Sequence, residues 1–215
     1  MERFDSSEAQ VQRLHKFEES SWSLPPQHLQ WDSPLLQQAI GNWSEGICFL
    51  LGVENQGKSS TLISRIVPLL KNNPDLCVLD ISLDDSFEER CRRYLSVLSN
   101  TSTEKIGRPI LCTEKELAKR KVAYDILETI FLGGQLEIKT EEENGVAHIS
   151  NIIKEIEQFA INHPEKKLLV LLDSWHDVLL PESKSIDPEK EALIELKKVL
   201  NYSTQKKIFI WGKNK

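Results

Sequence analysis

Gly52-Val53-Glu54-Asn55-Gln56-Gly57-Lys58-Ser59 is the stretch that decides the reading of this 215-residue chain. It satisfies G-x-x-x-x-G-K-[ST] at every required position, and each position has a physical reason. The two glycines let a loop wrap with its N–H groups pointing inward and then open onto a helix, so that backbone donors and the helix dipole converge on phosphate oxygens. Lys58 adds a point charge for the β and γ oxygens, and the Ser59 hydroxyl can enter an octahedral Mg²⁺ shell. Ser60 or Thr61 follows within reach of an α-phosphate. The candidate nucleotide-binding residues are therefore Gly52, Val53, Glu54, Asn55, Gln56, Gly57, Lys58, Ser59 and Ser60.

The flanks give this pattern the strand and helix it requires. Ile47 to Leu51 is a continuous apolar run, as expected for a strand covered on both faces. From Lys58 to Leu70 apolar residues recur at helical spacing, with Pro68 casting doubt on the last turn. Leu76 to Ser82 reads as a second buried strand. A helix opens behind Ser86 as N-cap, and residues 101–113, polar and broken by Gly107 and Pro109, read as a loop. EKELAKRKVAYDILETIF is a helix stopped by Gly133 and Gly134, and QLEIK is a short strand. Ile149, Ile152, Ile153 and Ile156 mark another helix. Lys167 to Asp173 is a third long buried strand, a helix from about Pro188 to Tyr202 follows, and KKIFIWG is a strand near the end of the sequence. Apolar strands alternating with helices predict an α/β fold with a mainly parallel sheet flanked by helices on both faces.

Composition agrees with a globular chain: 40% of residues are apolar and 28% charged. With 27 basic against 33 acidic residues the net charge is −6, which excludes a whole-chain basic footprint for nucleic acid. Residues 181–215 alone are basic, with eight Lys/Arg against five Asp/Glu. Cys48, Cys77, Cys91 and Cys112 stand too far apart in sequence for zinc or dithiol pairs and are expected reduced and buried. No secretory signal and no apolar run long enough to span a bilayer is visible, so a cytoplasmic protein without membrane contact is expected. Residues 1–31, with Val11, Leu14 and Phe17 at helical spacing and Pro25, Pro26 and Pro34 beyond, read as an arm and linker ahead of a domain over 32–215. Trp22 and Trp31 could anchor that arm on its own domain or on a neighbouring subunit.

Asp173, at the C-terminal end of its strand, is the second element of a nucleotide site: a carboxylate there can hold the metal's water shell. It is followed by Ser174-Trp175-His176, not the D-x-x-G of regulatory GTPases, and no [NT]-K-x-D occurs later. ATP with Mg²⁺ is therefore the expected cofactor pair, with Ser59 and Asp173 as metal-side residues.

From Ser33 onward the sequence resembles the RecA-type P-loop ATPase domain of DnaB-like replicative helicases. SPLLQQAIGNWSEGICFLLGVENQGKSSTL is similar to the family's first strand and P-loop, with Gly41, Trp43 and Gly46 in the preceding turn. LDISLDDSFEERCRRYLS resembles its second strand and the following helix with an arginine, here Arg90, and LLVLLDS resembles its Walker B strand. The resemblance implies that the strand at Phe209 inserts between the P-loop strand and the Asp173 strand, leaving the former at or near a sheet edge. It also implies a catalytic set of Lys58, Asp84, Asp85 and Asp173, in which Asp84, with Asp85 next to it, stands where the family carries a water-activating glutamate. The alternative for both aspartates is helix capping. Gly212 falls where the family has a phosphate-sensing glutamine, with Asn214 and Lys215 after it. The family continues through further strands with DNA-binding loops and an arginine finger, so the resemblance implies an incomplete motor domain lacking C-terminal strands.

His176 and Asp177 lie close enough to Asp173 to be catalytic or simply surface residues. Lys119-Arg120-Lys121 and Arg90, Arg92 and Arg93 are expected on solvated helix faces or subunit contacts. Three functions compete: an ATP-hydrolysing motor core of helicase type, a degenerate regulatory ATP-binding module with little hydrolysis, and a P-loop small-molecule kinase with a lid over residues 101–121. Single-stranded DNA is an expected partner in a longer context. A homo-oligomer is expected through the arm or the exposed sheet edge.

Overall fold

A computed structural model of the protein describes residues 11–16, 18–19, 33–34, 46–51, 56–141, 147–178, 198 and 208–213. Among these, the elements run β1 (Gly46–Leu50), α1 (Lys58–Asn72), β2 (Leu76–Ser82), α2 (Phe87–Ser99), α3 (Thr103–Gly107), α4 (Glu114–Leu132), β3 (Leu136–Thr140), α5 (Ile149–Asn162), β4 (Lys167–Asp173) and β5 (Ile208–Lys213). Residues 11–16 and 18–19 are helical, as their spacing predicts. Trp22, Trp31, Gly41, Trp43, Asn214 and Lys215, and all of the helix expected over 188–202 except Lys198, lie outside the described residues.

The strands pair in the order β1-β5-β4-β2-β3, and every pairing is parallel. β5 thus inserts between the P-loop strand and the Asp173 strand, as the resemblance implies, and β1 has a single partner among the described strands. Alternate strand residues feed two cores. Leu76 and Val78 of β2 and Leu169 and Leu171 of β4 face α1, α2 and α4. Cys77, Leu79 and Ile81 of β2 and Leu168, Val170 and Leu172 of β4 face α5. Burial of both strand faces is why these strands read as unbroken apolar runs.

The helices start where their caps dictate. Ser86 and Glu89 form a reciprocal capping box at α2, and Thr113 and Glu116 form another at α4. Three expectations change. First, α1 passes through Pro68 to Asn72: Leu69 and Leu70 are buried, and the Asn73 backbone N–H and side-chain Nδ2 both donate to the Leu69 carbonyl at 2.9 Å. Burial of that last turn outweighs the one N–H that proline lacks. Second, residues 101–113 are not a loop. Ser102 caps α3, Ile106 is 2% exposed in the core, and a 3-10 turn spans Pro109–Leu111. Third, β1 begins at Gly46 and ends at Leu50, leaving Leu51 exposed. All four cysteines are free thiols, but only Cys77 is fully buried; the other three are half-buried.

Candidate active site

Register alone assembles the site. Leu50 pairs with Lys213, Lys213 with Asp173, Asp173 with Ser82, and Ser82 with Thr140, so one row crosses all five strands at their C-terminal ends. Ligands of open α/β sheets bind beyond this edge. The end of β1 lies two strands from Asp173, roughly 9–10 Å at ordinary strand spacing.

Gly57 sits at the N-cap of α1 with φ 75° and ψ 22°, in the left-handed region where a glycine is free of Cβ strain. Its carbonyl accepts from the Thr61 N–H at 2.8 Å to close the first turn. No side chain caps this N-terminus, and its first turn holds no acidic residue. α2 and α4, by contrast, both carry acidic side chains there. Lys58 is 7% exposed, Ser59 half-buried and Ser60 exposed. An uncapped, acid-free helix start behind a left-handed glycine fits an anion. Gly52, Val53, Glu54 and Asn55 lie outside the described residues, while Gln56 and Gly57 are exposed beside the helix start.

Asp173 is fully buried at the end of β4. Among the described residues no group of three or more His, Cys, Asp or Glu is placed to hold a metal unaided. That matches Mg²⁺ chemistry, in which one or two protein oxygens and the phosphates share the ion with water. The Asp173–Ser174 peptide is cis. Beyond it, Ser174 donates its hydroxyl to Asp177 Oδ2. Asp177 is therefore engaged locally, and the backbone of His176 lies in the 3-10 turn Trp175–Asp177.

The most heavily bonded group at this edge is one the sequence reading placed on a solvated face. Arg90 is 0% exposed. Its Nε and Nη2 donate to Asp80 Oδ2 and Oδ1 at 2.9 and 2.8 Å, a bidentate pair, while Nη1 donates to Asp173 Oδ2 at 2.7 Å and to Asp85 Oδ2 at 3.3 Å. Tyr94, one turn further along α2, donates its hydroxyl to Asp80 Oδ2 at 2.7 Å. Asp80 and Asp173 share the sheet face that α2 covers, which explains why Arg90 meets both. Burial alone would lower the Arg90 pKa, but Asp80 and then Tyr94 and Asp173 raise it on balance. Burial, followed by Asp80, pushes the Tyr94 phenol well above its ordinary value. Arg92, Lys119 and Lys121 are exposed as expected, and Arg93 and Arg120 are half-buried.

Asp80 escaped notice in the sequence although it left a signal: a lone carboxylate in the buried run LCVLDIS needs a buried cation. The two neighbouring aspartates separate cleanly. Asp84 is exposed, whereas Asp85, its side chain 10% exposed, is held by Arg90 and by Arg93, whose Nε and Nη2 reach it at 2.8 and 2.9 Å. Neither caps α2, because Ser86 does. Gly212, in β5, pairs with Leu172 one position before the row and offers no side chain to it. Among the described residues no helix is long and apolar enough to cross a membrane.

No protein-family model and no curated protein sequence matches the chain. Solved structures do. One, an isolated ATPase domain of a DnaB-like replicative helicase, superposes with a TM-score of 0.70 at 13% identity, over 98% of this chain and 72% of that one. A second DnaB-like replicative helicase, solved for its interactions with primase, superposes with a TM-score of 0.72 at 14% identity, over 99% of this chain and 49% of that one. The chain thus spans about half the length of the second protein. At these identities the likeness is one of fold, and the fold is that of the RecA-type ATPase domain of DnaB-like replicative helicases.

Proposed function

We propose that this chain binds ATP with Mg²⁺ and hydrolyses it as a motor core related to DnaB-like DNA helicases, with an arm over residues 1–31 ahead of the ATP-binding domain. The observation that carries this reading is the single row of strand ends, which sets the uncapped start of α1 and the Asp173 carboxylate along one sheet edge. In this reading the first N–H groups of α1 and the loop from Gly52 to Gly57 take the phosphates. Lys58 neutralises the β and γ oxygens. Ser59 and Asp173 hold the metal side, and Mg²⁺ when bound supplies charge neutralisation between phosphate oxygens. Asp84, the exposed carboxylate of the β2–α2 turn, accepts the proton of the attacking water.

Replacing Lys58 with Ala tests this directly. Calorimetry should show Mg·ATP binding weakened at least roughly 100-fold, the scale on which losing a charge-assisted phosphate contact is felt. Unchanged affinity would sink the proposal.

A second reading, a regulatory module that binds ATP but turns it over little, draws on the aspartate at position 84. It is shorter than glutamate by one C–C bond, about 1.5 Å, and would hold the attacking water less well. Turnover measured on the same wild-type protein with and without single-stranded DNA separates the two, since brisk DNA-stimulated turnover belongs only to the motor. A small-molecule kinase is not favoured. The segment expected as its lid is packed, with Ile106 in the core and Lys105 paired to Glu116 at 2.7 Å.

A further inference from the structure

We infer that Asp85 is a positioning residue: with Arg90 and Arg93 it clamps the turn that presents Asp84 to the Asp173 end of β4. The inference rests on the proposed ATPase reading and concerns how this chain orients its water-activating carboxylate.

Both neighbours of Asp84 are tied down. On one side the Leu83 N–H donates to the Asp173 carbonyl at 2.6 Å. On the other, the Asp85 N–H donates to Ser82 Oγ at 3.2 Å, and the Asp85 carboxylate receives Arg90 Nη1 and two donors of Arg93. The same Nη1 donates to Asp173 Oδ2, so one guanidinium nitrogen joins the turn to the metal-side carboxylate.

Neither ordinary alternative accounts for this arrangement. A helix cap is already present, because Ser86 and Glu89 satisfy the start of α2 between themselves. Neutralising the buried guanidinium is chiefly the work of Asp80, which takes two of its donors and is itself braced by Tyr94. The branch through Nη1 reaches past that pair toward the site. An aspartate has one fewer rotatable bond than a glutamate with which to find its water. Its placement therefore depends more on the backbone, and the backbone is what the clamp fixes.

The test compares Asp85→Ala, Asp84→Asn and the double variant in the full chain, with two readouts. Hydrogen exchange without nucleotide should show the amides of residues 83–86 exchanging roughly ten-fold faster in Asp85→Ala, with the amides of residues 77–81 unchanged. Single-turnover and steady-state ATP hydrolysis should show kcat lowered roughly ten-fold with KM within about two-fold, a misplacement effect and not a binding one. In the Asp84→Asn background, Asp85→Ala should lower kcat no further, because a positioning residue has nothing left to position. A second ten-fold loss in that background, or exchange and turnover both unchanged in the single variant, would overturn the inference. Should Asp85→Ala fail to fold, Arg93→Gln removes the half-exposed arm of the clamp and carries the same three expectations. A wild-type chain that hydrolyses no ATP would remove the functional reading and this role together. Hydrolysis intact but indifferent to Asp85 removes the inference alone.

Discussion

Arg90 is a charge with no exposed surface, and burying it would cost several kcal/mol if its donors were not met. Asp80 meets it bidentately, and Asp173 and Asp85 share the remaining nitrogen. The balance is asymmetric: removing the cation strands two buried carboxylates, whereas removing Tyr94's hydroxyl leaves Asp80 still paired. We therefore expect Arg90→Ala to destabilise the fold by about 3–5 kcal/mol, and Tyr94→Phe by about 1.5–3 kcal/mol, in urea unfolding. Equal losses from both would contradict this hierarchy. The sequence held part of the network in view. Asp80 stands alone among apolar neighbours, but nothing in FEERCRRYL says which arginine turns inward until the strand behind it is known. Of Arg90, Arg92 and Arg93, only Arg90 lies one helical turn from the buried Tyr94. Whole-helix charge counts hide that distinction. The P-loop, by contrast, was legible residue by residue, because a left-handed glycine and an uncapped helix start are demanded by the motif's own backbone chemistry.

At the scale of elements, local signals that act within one turn were readable, and those that need a distant partner were not. Ser86 and Thr113 announce α2 and α4 through capping boxes contained in four residues. α3 is different: its five residues are polar apart from Ile106, and it forms because that one side chain reaches the core and Lys105 bonds Glu116 of α4. Glu116 reports this tie. Its hydrogen bond from Lys105, then those from the Thr113 backbone and hydroxyl, lower its pKa from 4.5 to about 2. Because the folded value lies below the unfolded one, the contribution of this group to stability is complete above about pH 4.5 and is lost as pH falls toward about 2. In an NMR titration the Glu116 carboxyl should show its midpoint near 2, and Lys105→Met should bring it back toward the ordinary value. A midpoint near 4.5 in the wild type would mean that α3 does not dock on α4 as described.

Across the whole molecule, sequence order and sheet order disagree in one informative place: the last described strand lies in the middle of the path from the P-loop strand to Asp173. Periodicity finds β5 but cannot say where it goes; only the family resemblance implied its insertion. That insertion places β1 at the margin of the described sheet. β1 is parallel to its one described partner, and its sequence GICFL is apolar, so its outer row of N–H and C=O groups forms a template for another chain. Proteins with such an edge cover it or associate through it. We expect the chain to form a homo-oligomer, through this edge or the N-terminal arm, on raising the protein concentration through the micromolar range. Sedimentation should show the mass rising, and if the edge is the contact, amide exchange over Gly46–Leu50 should slow in step with it. Mass rising without slower β1 exchange would move the contact to the arm. A monomer over that range, with β1 exchange independent of concentration, would refute self-association by either route.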